Sequence, residues 1–303
     1  PRLKVLANFI MRGRLQALLV AVAGSGSLLF CWISAAAIAL VALRQGPGQG
    51  LWLLLWAVLP AGALMLVFGD SGPFALLLGT TALALVLRST VSLPLALLAS
   101  VPVGLLTGLG ISVFGGELLA QMLAFFDQFL ASLEQQMAAD NAAVALPRPT
   151  ALQVAGMLGA ANAMLSVLCL LLARWWQAAL YNPGGFGGEF RTLYYPPAVS
   201  TLLVVGAAAL VAMGPEFRPW AAVCAVPLTA AGLALAHARV AQRGRGSGLL
   251  TALYVGWLLV DLVKLLVVLL AVVDSWWGFR QRWAAVGQDV RRRDEEDDRD
   301  NRG

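Results

Sequence analysis

The sequence predicts an all-α protein, a polytopic transmembrane helix bundle of about eight membrane segments plus one amphipathic interfacial helix. Three observations carry that prediction. Hydrophobic residues make up 60% of the chain and charged ones only 12%, whereas a soluble domain carries about 25% charge. Apolar runs close to the ~20 residues needed to cross a bilayer recur along the chain. Between two of them, one segment repeats its apolar residues at helical spacing instead of continuously. The organisation that follows is an interfacial segment 1–14, membrane segments over 15–113, an amphipathic acidic segment 114–149, membrane segments over 150–277, and a charged tail 278–303.

Residues 1–14 hold Arg2, Lys4, Arg12 and Arg14 among apolar neighbours, as a short interfacial helix does. The first membrane segment, 15–43, is too long for one span and too short for two. Gly24-Ser25-Gly26-Ser27 interrupts it, so it is either a tilted helix or a broken, re-entrant one. Arg12, Arg14 and Ala21-Val22-Ala23 imitate a signal peptide, but the apolar sequence resumes at Leu28 and favours an uncleaved segment.

Further segments fall at about 51–68, 73–87, 91–113, 151–175, 197–213, 219–238 and 249–273. Pro60, Pro94, Pro102 and Pro227 lie within them, which membrane bundles tolerate when neighbours satisfy the freed carbonyls. Gly156/Ala160 and Gly159/Ala163 place small residues where helices can approach closely. In the amphipathic segment, Leu119, Met122, Phe126, Phe129, Leu133 and Met137 recur at helical spacing, with Glu117, Gln121, Gln128, Ser132 and Gln135 opposite. Its acidic residues argue against attachment to anionic lipid. Thr150 is placed to cap the helix that follows. The tail from Arg291 to Arg299 has nearly balanced charge, no apolar residue, and reads as solvated.

The residues also exclude function classes. The net charge of +5 is scattered over loops and points to no nucleic acid. Cys31, Cys169 and Cys224 lie inside apolar runs and read as core residues, neither disulfides nor ligands; no metal or other cofactor is expected. With Lys4 and Lys264 the only lysines, there is no Gly-x-x-x-x-Gly-Lys-Ser/Thr loop for ATP. Gly69-Asp70-Ser71-Gly72 and His237 mimic protease fragments, but the span order sets them about a bilayer thickness, ~30 Å, apart. No enzyme is expected.

Alternate loops share a membrane side. The connections 44–50, 88–90, 174–196 and 239–248 fall together and carry Arg44, Arg88, Arg174, Arg191, Arg239, Arg243 and Arg245. The opposite loops hold Asp70, the acidic segment and Glu216, with only Arg148 and Arg218. The positive-inside rule assigns the Arg-rich face to the cytoplasm. The basic N-terminal segment and Arg280/Arg282 argue the other way on an eight-span count. A re-entrant first segment reconciles the N-terminus with the loops but not the tail.

Two places carry charge where it is costly. Asp261 sits at the centre of the last segment, with Lys264 one turn along the same face. Intramembrane charges usually face a bundle interior or a water path, so the pair is either a midplane solute or ion site or a self-neutralising packing pair. In the 174–196 connection, Arg174, Asn182, Glu189 and Arg191 are placed to line a cavity mouth. Gly184, Gly185, Gly187 and Gly188 would let that loop close as a gate. The plainer reading is an aromatic belt around Trp175-Trp176 with snorkelling Arg. Asn162, mid-span in the fifth segment, either binds solute or bonds a neighbouring helix.

Arg174-Trp175-Trp176-Gln177, then Leu180-Tyr181-Asn182-Pro183-Gly184-Gly185-Phe186 and Phe190, resembles the YybS-like family of bacterial polytopic membrane proteins of unknown function. Phe9-Ile10-Met11-Arg12-Gly13-Arg14 and Leu43-Arg44 are similar to that family's early features, and the likeness runs over most of the chain apart from the tail. The resemblance implies a bacterial cytoplasmic (inner) membrane protein. Its architecture is similar to the substrate-capture subunits of energy-coupling-factor transporters, which dock partners through Ala-x-x-x-Ala faces such as Ala35/Ala39 would offer. The first expectation is therefore a solute-binding or transport-related subunit without its own ATPase, embedded in the lipid bilayer. It would bind a small-molecule solute and need a separate energising protein or an ion gradient. The alternative is a non-enzymatic assembly protein that binds partners through its amphipathic helix and Gly-rich face.

Overall fold

The computed structural model describes residues 2–139, 145–244, 248–279 and 282, and every regular element among them is a helix. The charged tail expected to be solvated lies, from residue 283 on, outside the described residues. The chain forms two compact units. One comprises residues 1–189 and 203–227, and the other 190–202 and 228–303.

The first unit opens with α1 (Arg2–Met11), α2 (Arg14–Ser25) and α3 (Cys31–Gln45). At 1.5 Å per residue, α2 and α3 reach only roughly 18 and 22 Å, short of the ~30 Å hydrocarbon layer. They fold back on each other: Ser34 Oγ donates to the carbonyls of Val20 and Ala21. The segment 15–43 is therefore the broken alternative, a hairpin whose tip is residues 26–30. Gly24 makes the close approach possible, since a Cβ there would meet Ser34 Oγ at 2.9 Å and the Phe30 carbonyl at 3.0 Å.

α3 is the centre of this unit. Every residue from Ser34 to Leu43 is buried, and α2, α4 (Pro47–Phe68), α5 (Gly72–Thr90) and α9 (Ala151–Tyr181) pack around it. A helix apolar on all sides belongs in an interior, and its five alanines between positions 35 and 42 let neighbours come close. Ala35 and Ala39, which the resemblance offered as a docking face, are fully buried within the unit.

α6 (Leu93–Leu98) and α7 (Ser100–Phe114) together make the fourth expected segment. α7 lies against α9 through glycine on both sides. A Cβ at Gly159 would sit 2.5 Å from the Gly104 carbonyl, and one at Gly104 would sit 2.9 Å from the Ala163 Cβ. The predicted Gly159/Ala163 face thus meets a Gly104-x-x-x-Gly108 face, while Gly156 takes the indole of Trp220. α9 starts where expected. Thr150 Oγ1 accepts from the Gln153 N–H and the Gln153 side chain accepts from the Thr150 N–H, a reciprocal cap.

α8 (Gly116–Ala139) is the amphipathic helix. Its first turns are held down: Leu118 and Leu119 are buried, and Met122, Leu123 and Phe126 pack against Ile111, Val154 and Trp220. Further along, Phe125 and Phe129 stack on each other in the open, ring centres 6.3 Å apart. Arg148 pins the returning chain through Glu134 at 2.5 Å and Asp127 at 3.5 Å.

α10 (Gly185–Arg191), α11 (Pro197–Ala212) and α12 (Arg218–Arg243) carry the chain across the boundary between the units. α13 (Gly248–Leu259) and α14 (Asp261–Trp277) belong to the second unit. There, Gly232 lets α12 touch α14, since a Cβ on it would lie 2.1 Å from the Val267 carbonyl.

Among the described residues, five stretches are long and apolar enough to cross a membrane: 47–68, 72–90, 93–114, 151–181 and 215–242. They coincide with five of the eight expected segments. The other three differ. The first is the hairpin, the sixth is the 16-residue α11, and the last is bent by 116° between α13 and α14; counted as one, that bent pair makes a sixth. Apolar composition is the same in a straight span and a folded one, so hydropathy alone does not separate them.

Candidate functional site

Both α5 and α7 pack on α9, and they have little contact with each other. A cleft results, with α9 behind it and the ends of α4 and α8 closing its edge. Its volume is about 620 Å³, within the ~300–1,000 Å³ of small-molecule sites. The walls are mostly apolar: Met65 and Leu66, Phe74 to Ala82 on one face of α5, and Val103 to Phe114 on one face of α7. Leu66, Leu78, Leu106 and Phe114 are among the exposed large apolar residues, so the cleft opens toward what would be acyl chains.

The polar groups are few and placed. Thr107 lines the α7 wall, and its Oγ1 accepts from Asn162 Nδ2 at 2.9 Å; the same amide reaches the Ala75 carbonyl on the α5 wall at 3.4 Å. Asn162 thereby ties the two walls together from behind. At the other end, Glu117 stands beside Gly69, with Gln121 Nε2 donating to Glu117 Oε1 at 3.0 Å and to the Phe68 carbonyl at 3.3 Å. Gly69 is required twice over. Its φ of 73° is left-handed, and a Cβ there would strike Glu117 Cγ at 2.7 Å. Ser71 also lines the cleft, but its Oγ is buried, shut off from solvent, and has no hydrogen-bond partner among the described residues.

The two ends of the first unit are chemically unlike, as the alternation of loops predicts. At one end Arg88 donates to the Leu43 carbonyl closing α3, and the Arg44 guanidinium lies 4.0 Å over the Tyr181 ring at the end of α9. Arg174 pairs with Glu189 at 2.7 Å and donates to Gln177. Because α2 runs antiparallel to α3, Arg14 starts at this same basic end. The other end gathers Asp70, Glu117, Asp127, Glu134 and Glu216; Thr150 Oγ1 donates to Glu216 and Gln153 to the Pro215 carbonyl. The cleft opens in the acidic half.

The sequence-predicted residues fare differently. Asp261 and Lys264 do pair, at 2.8 Å, but not at the centre of a straight span. Val260 is extended (φ −125°, ψ 113°), the helix breaks there, and Asp261 becomes the first residue of α14. Its side chain is 95% exposed and that of Lys264 45%. A carboxylate in a helix's first turn is favoured by the helix dipole, which gives Asp261 a local reason to be there. The 620 Å³ cleft includes neither residue.

In the 174–196 connection, the structure brings Arg174 and Glu189 together. Asn182 ends α9, its amide lying against the Gly185 backbone. The expected flexible gate is mostly helix: Gly185, Gly187 and Gly188 are inside α10, and only Gly184, at φ 88°, makes the turn. Arg191 ends α10 and falls in the second unit. The tryptophan pair splits, with Trp176 fully buried and Trp175 at 38% exposure, so only one of them suits an aromatic belt. Asn162 follows its plainer reading and bonds neighbouring helices. Ser71 and His237 fall in different units, and His237 Nδ1 lies 2.9 Å from the Leu233 carbonyl between the rings of Phe190 and Tyr254.

Sequence reasoning passed over Ser71 as a ligand group and over Thr107 altogether. The available signal was Thr107 among Gly104, Gly108 and Gly110, a polar group in a glycine-rich helix face. Comparison of the chain with family models, curated proteins and solved structures yields no match.

Proposed function

We propose that this chain is a solute-binding, transport-related membrane subunit with no ATPase of its own, and that its ligand lies in the cleft between α5 and α7. One observation carries the reading: a 620 Å³ apolar cleft whose polar lining residues, among those described, are Ser71, Thr107 and Glu117. A pocket of that size with a few placed polar groups is how small-molecule sites are built. The exposed Asp261–Lys264 pair supports this assignment less well than the cleft. Energy for transport would come from a separate subunit or an ion gradient, and the YybS-like resemblance and a bacterial inner membrane location belong to the same proposal.

Gly110 lines the cleft, and a Cβ on it would meet nothing within 4 Å. Gly110→Phe therefore projects a ring into the cleft from a position where its Cβ meets no wall atom. After purification in mild detergent, mass spectrometry should find a small molecule with the wild type and with Asp261→Leu but not with Gly110→Phe. Equal retention by Gly110→Phe removes the cleft from consideration.

The exposed Phe125–Phe129 stack favours a second reading, an assembly protein that binds a partner through α8. In that case Phe125→Ser with Phe129→Ser should lose a co-purifying protein while small-molecule retention is unchanged.

A further inference from the structure

We infer that the cleft selects a hydrophobic cation, a single apolar chain with an amine or quaternary ammonium head, over a carboxylate or phosphate amphiphile. The inference rests on the cleft being the ligand site. Its charge is one-sided. Among the described residues, Glu117 is the one ionisable residue that lines it; Asp70 stands between the lining residues Gly69 and Ser71 but accepts from the Gly72 N–H and is not itself part of the lining. No Lys, Arg or His among the described residues lines it. Of the two cations at that end of the unit, Arg148 is engaged by Glu134 and Asp127, and Arg218, the first residue of α12, does not line the cleft.

Glu117 also has capacity to spare. Gln121 donates to its Oε1, and among the described residues its Oε2 has no hydrogen-bond partner. An anionic head would meet the Glu117 carboxylate and, among the described lining residues, no cation. A cationic head would meet Glu117 at the edge of an apolar wall, where a charge pair is stronger than in bulk water. The chain of such a ligand fits along Leu78, Leu106 and Phe114, which need no polar partner.

The test uses the full chain in a neutral maltoside detergent, with decyltrimethylammonium, decanoate and decanol as probes below their micelle-forming concentrations. Binding is read by native mass spectrometry and by thermal stability. The wild type should bind the ammonium at least about tenfold more tightly than decanoate, and Glu117→Gln should bring that ratio close to one without changing decanol binding. Gly110→Phe should abolish binding of all three. Equal binding of all three probes, lost in Gly110→Phe, would overturn the cation preference and leave the cleft as a tail site. Binding of all three that Gly110→Phe leaves intact would overturn the cleft itself. If Glu117→Gln fails to fold, Gly110→Lys puts the opposite charge in the cleft at a position where a Cβ meets nothing within 4 Å: it should lower the ammonium-to-decanoate binding ratio, and an unchanged ratio would count against the inference.

Discussion

Val91 has φ 52°, the left-handed region, and is the one residue other than glycine among the described residues with a positive φ. It caps α5, a position where glycine is usual, and a β-branched side chain there is strained. Val91 is 86% exposed, so its side chain gains little from packing. Val91→Gly should raise stability by about 1 kcal/mol, measured by reversible unfolding in detergent. A decrease would mean the side chain makes contacts that outweigh the strain.

Glu134 is the clearest titrating group outside the membrane segments. The Arg148 side chain donates to it, the Leu146 N–H donates too, and together they hold its pKa down to about 2. A depressed carboxylate pKa contributes stability above the unfolded value, here 4.5, and that contribution is lost as pH falls toward about 2. Arg148→Met should therefore be less stable than the wild type at neutral pH, with the difference shrinking between pH 4.5 and 2. A difference that persists at pH 2 would assign Arg148 a packing role. Asn162 tests the interior in the same way. Asn162→Leu should cost about 1–2 kcal/mol, and a double-mutant cycle with Thr107→Val should return a coupling near 0.6 kcal/mol.

Between elements, glycine decides how closely α7 and α9 approach, and the positions are not equivalent. Gly159→Ala drives a Cβ to 2.5 Å from the Gly104 carbonyl, backbone that cannot turn aside. That overpacking should cost about 1–3 kcal/mol. Gly110→Ala, on the same helix as Gly104 but facing the open cleft, should be neutral or stabilise by up to about 1 kcal/mol. Thermal unfolding of the two variants side by side checks the close approach, and similar effects would contradict it. The same glycines explain the cleft: α7 is drawn onto α9, α5 onto α3 and α9, and a gap is left between α5 and α7.

Across the first unit, the hairpin resolves a conflict that counting segments leaves open. With 15–43 as a straight span, the basic N-terminal residues and the Arg-rich loops fall on opposite sides. Folded back at 26–30, the chain returns Arg14 to the end that holds Arg44, Arg88 and Arg174. By the positive-inside rule we propose that this end faces the cytoplasm. Gln45 and Gln128 are both exposed, at the basic end and on α8, and Cys31, Cys169 and Cys224 are buried. In intact cells a membrane-impermeant maleimide should label Gln128→Cys but label Gln45→Cys only after lysis. The reverse pattern would invert the orientation.

By itself the sequence determined what depends on composition and spacing. An apolar chain with too few charges must be helical in lipid, because backbone groups there have no water to bond. Loop charge sorted Arg44, Arg88 and Arg174 from Asp70, Glu117 and Glu216, and small-residue spacing marked Gly159/Ala163 as a packing face. Thr150 was legible as a cap because capping is local. What only the tertiary structure decided was direction: that 15–43 turns back, that the chain bends at Val260 and leaves Asp261 exposed, that Gly185 to Gly188 coil into a helix, and that Thr107 lines a cleft with Asn162 behind it. Hydropathy records how much an apolar run prefers lipid or core to water, and that preference is the same whether the run crosses straight, folds back, or parts from a neighbour to leave a cavity.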